Sequence, residues 1–132
     1  MTLIDKIAWI RLADGKILST RSRDKDVYYL PGGKREPGET DVQTLVREIR
    51  EELDVTIAPG SAAHVGTFEA QAHGHATGIT VRMTCYAADY QGMLTPSSEI
   101  AEFVWLGYAD RDRVSPVDQI IFDRLHRDGQ LA

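Results

Sequence analysis

The sequence predicts an α/β fold, a mixed β-sheet sandwiched between helices as an α/β/α sandwich. Segments with the alternating pattern of strands lie before and after a central helical segment, and a second helical segment lies near the end of the chain. Helices in both of these places can cover both faces of a sheet. No repeat, low-complexity tract or break in composition divides the 132 residues, so we expect one domain over residues 1–132.

Six segments are predicted to be strands, and turn residues separate them. The tight turn Ala13–Gly15 joins the first two into a predicted hairpin. Pro31–Gly33 is predicted to stop the third strand, and a loop containing Pro37–Gly38 follows it. The predicted strands are Ile4–Leu12, Lys16–Arg23, Tyr28–Leu30, His64–Ala72, Ile79–Tyr90 and Glu102–Leu106.

Two helices are predicted, and the first has clear signals at its start. Thr40 and Gln43 match a capping box, and Asp41 places negative charge in the first turn, where it complements the helix dipole. Ser115–Pro116 begins the second predicted helix, which closes near Gly129. An apolar stripe at helical spacing runs along the first helix through Val42, Leu45, Val46, Ile49 and Leu53.

The composition predicts a folded, acidic protein. Hydrophobic residues make up 42% of the chain and charged residues 27%, which argues against a disordered chain. The net charge of −5 and the lack of a basic stripe argue against nucleic acid as the main partner. An acidic protein can still bind a phosphorylated small molecule if metal ions neutralise the site.

A cytoplasmic location is expected, with no membrane partner. The single cysteine, Cys85, can form no intramolecular disulfide, which suits a reducing compartment. It alternates with Val81 and Met83 on a predicted strand, so we expect a buried, unreactive thiol. No apolar run approaches the roughly 20 residues that span a bilayer. The first residues lack the cationic and apolar regions of a signal peptide.

Glu48, Glu51 and Glu52 form a carboxylate face on the first predicted helix. At positions i, i+3 and i+4 they project from one side of the helix. Carboxylates this close repel one another unless a cation lies among them, and Mg²⁺ combines a few carboxylates with waters and phosphate oxygens. The alternative is a set of solvated surface glutamates, which is common for an isolated Glu-x-x-Glu-Glu.

The residues around these glutamates match a longer motif. The stretch reads Gly33, five residues, Glu39, seven residues, Arg47-Glu48-Ile49, one residue, Glu51-Glu52, one residue, Asp54-Val55. It resembles the Nudix box, G-x5-E-x7-R-E-U-x-E-E-x-G-U with U aliphatic, at eight of nine constrained positions over residues 33–55. Asp54 stands where the box has glycine. We expect a left-handed helix cap there, at a modest local cost and without loss of activity.

The resemblance to Nudix hydrolases implies the sandwich fold and a divalent metal, Mg²⁺ or Mn²⁺. The implied metal ligands are Glu48, Glu51, Glu52 and the carbonyl of Gly32 or Gly33. Glycine lets the backbone approach an ion, although a simple turn is the alternative for this pair. Glu39 and Arg47 are expected to contact the ligand carboxylates and orient them without binding the metal themselves, because a guanidinium can bridge carboxylates that would otherwise repel each other. An ordinary surface ion pair is the alternative.

A general base must take the proton of the attacking water, and two candidates are open. One is Glu52, within a catalytic group that also includes Glu51 and Arg47. The other is Glu99, six residues before a tryptophan, because MutT-type members carry a catalytic or metal-binding glutamate before a strand with a tryptophan. Glu102, at a strand edge, is a weaker rival. The alternative for Glu99 is a solvated loop carboxylate.

Substrate contacts are predicted mainly before the motif. Arg21 and Arg23 lie two apart, hence on one strand face where they could meet phosphates, although an exposed basic edge strand is equally compatible. Tyr28 and Tyr29 precede the glycine turn, and one ring could stack on a base, with packing in the core or at the rim as the alternative.

His73 and His75 form a His-x-His pair in a loop between two predicted strands. Because no further soft metal ligand lies nearby in the sequence, a loop beside the substrate is the preferred interpretation over a metal site.

The resemblance implies hydrolysis of a diphosphate linkage in a nucleoside diphosphate derivative, nucleoside triphosphates included, so the expected partner is a small nucleotide. One alternative is a non-catalytic nucleotide sensor on the same fold, but this chain keeps every acidic residue of the motif. Another is a protein-interaction module with a charged helix, which would be indifferent to divalent ions. A homodimer is a possible assembly, since many relatives dimerise.

Overall fold

The computed structural model describes residues 2–72, 74–75 and 77–132. The strands are β1 (Thr2–Trp9), β2 (Leu12–Ala13), β3 (Lys16–Ser22), β4 (Gly32–Lys34), β5 (Thr56–Ile57), β6 (Ala63–Gln71), β7 (Ile79–Ala87), β8 (Tyr90–Gln91) and β9 (Ile100–Leu106). The α-helices are α1 (Asp41–Leu53) and α2 (Pro116–Arg127). Short 3₁₀ helices lie at Pro59–Ser61 and Tyr108–Arg113.

The strands form a mixed sheet and two smaller antiparallel sheets. The four-stranded sheet has the order β4-β1-β7-β6, in which β1 and β7 are parallel and the other pairs antiparallel. A three-stranded sheet has the order β2-β3-β9, and β5 pairs with β8. The prediction of a mixed sheet with helices on its faces is confirmed, although the strands are divided among three sheets.

The two helices cover opposite faces of β1, because successive side chains of a strand point to opposite sides. Ile7 and Trp9 pack in the hydrophobic cluster that includes the buried face of α1. Ala8 and Ile10 pack in the cluster that includes the buried face of α2. Trp9 is completely buried, and its indole N–H donates to the Ala88 carbonyl at 3.1 Å. Burying a large apolar side chain contributes roughly 1.5–3 kcal/mol to stability, so both clusters hold the layers together.

The predicted hairpin turn at Ala13–Gly15 is present, because β2 pairs with β3 across it, but the first predicted strand is divided in two. The first strand ends at Trp9, and the short β2 pairs with β3 in its place. The reason is that β4 and β7 already occupy both edges of β1. A strand that is buried on both faces can be the central strand of a sheet, with distant strands as its neighbours. The sequence pattern shows only which strands are close in the chain.

The predicted stop at Pro31–Gly33 is also wrong, because Gly32–Lys34 is strand β4, antiparallel to β1. Gly32 has φ 149°, and a Cβ at this position would overlap the Ile7 carbonyl, so glycine permits the close pairing. The predicted strand at Tyr28 and Tyr29 is reduced to isolated bridges, to Val114 and Thr20 respectively.

Both predicted helices are present. The Thr40 capping box forms in full, and α1 ends at Leu53 with Asp54 in the left-handed conformation at φ 55°. Ser115 is the N-cap residue of α2, although its side chain makes no capping hydrogen bond. In the described part of the chain, no helix is long and apolar enough to cross a bilayer.

Candidate active site

A cleft of about 290 Å³ opens between α1, β1, β4 and the start of α2. Glu48 and Glu52 reach it from α1, and Glu99 reaches it from the loop before β9. Gly32 and Gly33 form the adjoining wall. Two distant parts of the chain therefore bring three carboxylates to one concave surface.

Glu52 is held in place by the backbone of β4. Its side chain is buried, with the residue only 8% exposed, and Oε1 accepts a hydrogen bond from the Gly32 N–H at 3.0 Å. Burial raises the pKa of Glu52 to about 8, and the nearby Glu48 and Glu99 raise it further, while the Gly32 bond and the Lys6 ammonium act in the opposite direction. Such a carboxyl ionises readily when a cation is beside it.

Glu48 lies against Gly33, which has no side chain to obstruct it. A Cβ at Gly33 would overlap the Glu48 carboxylate, so this glycine creates the space in which the carboxylate sits. Partial burial raises the pKa of Glu48, with Arg47 acting against that rise and Glu51 and Glu99 adding to it. The pair Gly32–Gly33 therefore supports both glutamates, one by a hydrogen bond and one by the space it leaves.

Arg47 links the glutamate face to the loop before the helix. Its Nε and Nη2 donate to the two carboxylate oxygens of Glu39 at 2.7 and 2.9 Å, and Nη2 also donates to the Lys34 carbonyl at 3.0 Å. Nη1 lies 3.3 Å from Glu48 Oε1. The Arg47 guanidinium lowers the pKa of Glu39 to about 2, with help from the Glu36 N–H. This bidentate pair fixes Arg47 beside Glu48, where it can orient that carboxylate.

The loop that carries Glu99 is tied to the end of α1. The backbone N–H groups of Thr95 and Ser97 donate to the carbonyls of Leu53 and Glu52, each at 2.9 Å. The Ser98 hydroxyl donates to Glu99 Oε2 at 2.6 Å. These bonds keep Glu99 at the mouth of the cleft even though its side chain is exposed.

The other predicted acidic residues lie apart from the cleft wall. The Glu51 side chain is 53% exposed and pairs loosely with Arg47 at 3.6 Å. Glu102 accepts from Arg21 Nε at 3.0 Å on β9, away from the three cleft glutamates. The structure therefore separates Glu51 and Glu102 from the three glutamates that line the cleft.

The residues at the cleft fit a divalent cation that keeps waters and phosphate oxygens among its ligands. Glu48, Glu52 and Glu99 line the cleft together with Gly32 and Gly33, so carboxyl groups share the cleft with a wall of glycine backbone. Among residues 2–72, 74–75 and 77–132, no three carboxylate, imidazole or thiolate side chains lie close enough together to enclose an ion by themselves. The protein oxygens therefore suit partial coordination.

The predicted substrate contacts are dispersed. Tyr29 lines the cleft. Tyr28 instead packs under the Arg113 guanidinium, whose Cζ lies 5.0 Å from the centroid of the Tyr28 ring. Arg21 pairs with Glu102, and Arg23 donates through Nη1 to the Ser98 carbonyl at 2.5 Å. The expectation that both arginines share a strand face is wrong, because β3 ends at Ser22 and a register shift precedes that residue.

His75 lines the cleft beside Ala72 at the end of β6, while His73 lies outside the described residues. Cys85 is buried on β7, and burial raises its thiol pKa, in agreement with the expected unreactive cysteine.

Several residues at the cleft were missed from the sequence. Lys6, Lys25 and Lys34 line it, as does Ser115, and Asp118 is completely buried at the start of α2. Two of these positions carry a signal in the sequence. Lys6 interrupts the apolar run of β1, and Asp118 lies among the buried apolar residues of α2. A charged residue at an inward position predicts a function for it.

Comparison with known proteins agrees with this fold. The NUDIX domain family model matches residues 4–125. A CTP pyrophosphohydrolase of Escherichia coli (strain K12) is 34% identical over 110 residues, which are 80% of this chain and 76% of that protein. The solution structure of the E. coli ORF135 protein is 27% identical with a TM-score of 0.75, over 96% of this chain and 91% of that one. The MutT protein of Methanosarcina mazei Go1 is 20% identical and shares the fold, with a TM-score of 0.76 over 97% and 96%.

Proposed function

This chain belongs to the Nudix family of pyrophosphohydrolases, which act on phosphoanhydrides, and from that premise we propose that it hydrolyses a diphosphate linkage in a nucleoside diphosphate derivative, nucleoside triphosphates included. The observation that carries the proposal is the convergence of Glu48, Glu52 and Glu99 on one cleft that also contains lysines. Carboxylates suit a divalent cation, and the lysines suit the phosphates of a substrate.

Glu48, Glu52 and Glu99 would hold Mg²⁺ or Mn²⁺, with the Gly32 or Gly33 carbonyl and the exposed Glu51 as further candidate ligands. At such a site a divalent cation supplies neutralisation of the diphosphate and acidification of water. Arg47 and Glu39 would keep the Glu48 carboxylate in position. Lys25 and Lys34 would bind phosphate oxygens, since an ammonium is a compact phosphate donor.

The proton of the attacking water goes to a glutamate in this proposal. Glu52 is buried in the cleft, whereas Glu99 is exposed at its mouth and can exchange protons with solvent. The base must lie within hydrogen-bond reach of the attacking water. Variants at the two positions distinguish them.

The nucleoside would occupy the end of the cleft away from the glutamates. Val81 and Met83 lie on β7, two strands from β4 in the sheet, and with Tyr29 and Val117 they give the cleft an apolar lining suited to a base. The E. coli relative is a CTP pyrophosphohydrolase, which supports a nucleoside triphosphate among the substrates.

A substrate panel tests the proposal. Nucleoside triphosphates and nucleoside diphosphate esters are incubated with Mg²⁺ or Mn²⁺ at neutral to alkaline pH, and the products are identified. We expect Glu52→Gln to lower kcat by roughly 100-fold or more, within the range for loss of a general base or its equivalent. Glu69→Gln is the matched control, because Glu69 pairs with Arg82 at 2.9 Å on the exposed face of β6.

Three outcomes are informative. Hydrolysis that Glu52→Gln abolishes and Glu69→Gln retains supports the proposal. A larger loss in Glu99→Gln than in Glu52→Gln assigns the base to Glu99. Tight nucleotide binding without turnover under any metal condition contradicts hydrolysis and supports a nucleotide sensor.

A further inference from the structure

Lys6 presents its side chain to the cleft from a central strand. In the register of the sheet its Cα pairs with Lys34 on β4 and with Met83 on β7. Residues paired across adjacent strands project from the same face, so these three side chains share the face of the sheet that α2 covers. Like charges placed directly opposite each other are unfavourable, and the Lys6–Lys34 pair is therefore a cost to the fold that a ligand would offset.

The Lys6 side chain is half-buried where it lines the cleft. Burial lowers its pKa, the Asp118 and Glu52 carboxylates act against that change, and Lys34 and Lys25 add to it. Its Nζ lies 5.7 Å from the centroid of the Tyr29 ring. Across the described residues Nζ makes no hydrogen bond, although an ammonium has three donors. These donors face the cleft.

The position of Lys6 within the cleft indicates which part of a substrate it meets. Its Cα pairs with that of Met83 on β7, and its Nζ lies within 5.7 Å of the centroid of the Tyr29 ring. Met83 and Tyr29 both belong to the apolar lining proposed for the base. Lys6 therefore lies beside that lining.

Asp118 lies behind the wall of the cleft. It is completely buried, and its Oδ2 accepts from the Leu30 N–H at 2.8 Å. Its carboxylate acts against the lowering of the Lys6 pKa by burial and so favours the charged form of Lys6, which donates hydrogen bonds.

We propose that Lys6 is a specificity-determining residue, whose ammonium donates a hydrogen bond to a carbonyl oxygen of the nucleobase. This inference rests on the proposed function. An ammonium donates and never accepts, so it favours bases with an exocyclic carbonyl, such as guanine, hypoxanthine, cytosine and uracil. Adenine has an exocyclic amino group, whose hydrogens would face the ammonium. The enzyme should therefore discriminate against adenine nucleotides.

The test compares ITP with ATP, because hypoxanthine and adenine are matched in size and differ at the 6-carbonyl. In the wild-type enzyme we expect kcat/KM to be about 10- to 100-fold higher for ITP, the range for a hydrogen bond to a charged group. In Lys6→Met this ratio should fall to within about 3-fold of one, mainly through loss of ITP hydrolysis. Lys6→Gln, which keeps a polar side chain, is the second variant if Lys6→Met does not fold.

Lys34→Met is the matched control, since Lys34 is the cross-strand neighbour of Lys6 and is assigned to phosphate. It should lower hydrolysis of ITP and ATP equally and keep their ratio. A uniform loss for both nucleotides in the Lys6 variants, or a wild-type ratio near one, overturns the carbonyl contact.

Failure of the proposed function is distinct from failure of the Lys6 contact. If no nucleotide is hydrolysed, the proposed function is wrong. Equilibrium binding of ITP and ATP to the Glu52→Gln variant then measures the same ratio without turnover, and equal binding of the two overturns the Lys6 contact as well.

Discussion

Glu51 and Glu52 are adjacent on α1 but differ in solvent exposure, because the helix turns one toward solvent and the other toward the cleft. Glu52 is 8% exposed and bonded to the Gly32 N–H, while the Glu51 side chain is 53% exposed. Burial, with the nearby Glu48 and Glu99 adding to its effect, raises the pKa of Glu52 to about 8. At the scale of single residues, the glycine pair beside the helix determines where the two cleft carboxylates sit.

Gly33→Ala should therefore impair activity while leaving the fold intact. The added Cβ would overlap the Glu48 carboxylate, which lies at the end of a flexible side chain and can move away. Displacement of a site group by about 1 Å can cost roughly 100-fold in rate, so we expect kcat/KM to fall by about 10- to 100-fold. Steady-state kinetics and a thermal melt of the same sample provide the measurement.

Gly32→Ala is the informative contrast. Its Cβ would overlap the Ile7 backbone carbonyl, which cannot move without breaking the sheet, and φ 149° is strained for alanine. We expect a loss of stability of at least about 1–3 kcal/mol. Full activity in Gly33→Ala would contradict the position assigned to Glu48.

At the scale of elements, the end of α1 shows how the chain departs from the family motif. Asp54 takes the position where the motif has glycine, and it adopts the left-handed conformation at φ 55° with its N–H bonded to the Arg50 carbonyl. The helix geometry is thus kept with a less suitable residue. Its contact with Arg50 at 3.5 Å joins two exposed side chains and contributes little.

Asp54→Gly should stabilise the protein by roughly 0.5 kcal/mol, because glycine avoids the Cβ penalty of this conformation but loses more entropy on folding. Asp54→Ala should destabilise it by a similar or larger amount, since alanine tolerates the conformation less well than aspartate. Urea denaturation of the wild-type protein and the two Asp54 variants gives the order of their free energies of unfolding. Stabilisation by alanine would show that the helix end does not have the left-handed cap.

The elements also show what local sequence could predict. The capping residues and the apolar stripe of α1 lie within one segment, so the helix was predicted correctly. Of the three glutamates predicted to share one face, Glu48 and Glu52 line the cleft and Glu51 is exposed outside it. Strand partners depend on distant segments: β1 pairs with β7, about 77 residues later, and this could not be derived from alternation. The exchange of partners placed Gly32–Lys34 in the sheet, where a turn had been expected.

The cleft likewise contains residues that local sequence could predict and residues that it could not. The motif predicted the α1 glutamates, because they lie within one helix, and a loop glutamate was added by resemblance. Lys6 and Asp118 belong to segments 112 positions apart, and each taken alone is a single charge in an apolar pattern. Asp118 acts on Lys6 because α2 packs against the sheet, so only the three-dimensional structure brings the two charges together.

At the scale of the whole molecule, buried carboxyls couple stability to pH. Glu52 and Asp118 have pKa values raised by burial to about 8 and about 7, from ordinary values of 4.5 and 3.8. The folded state therefore binds more protons than the unfolded state between about pH 4 and 8, so the free energy of unfolding falls as the pH rises through this range. Glu39 acts in the opposite direction, but its lowered pKa of about 2 confines that effect below about pH 4.5.

The metal-free protein should thus lose stability, on the order of 2 to 4 kcal/mol, from pH 5 to pH 8. Chemical denaturation in the presence of a chelator measures this slope. Asp118→Asn should reduce it, because asparagine keeps an acceptor for the Leu30 N–H but has no proton to lose. A slope unchanged in this variant would contradict the burial of an ionisable Asp118.

Divalent ions should offset the loss of stability with rising pH that Glu52 causes. A cation that binds only the folded state at 100 times its Kd adds about 2.7 kcal/mol, which corresponds to a rise in Tm of roughly 10 °C for a chain of this size. The rise should be larger at pH 8 than at pH 6, since the ion must displace a proton from Glu52 at the lower pH. The rise in Tm should shrink in Glu52→Gln, because the proposed metal site includes Glu52. It should persist in Asp118→Asn, because the site does not include Asp118. A Tm indifferent to Mg²⁺ and Mn²⁺ would instead identify the carboxylate face of α1 as a solvated surface, as in a protein-interaction module.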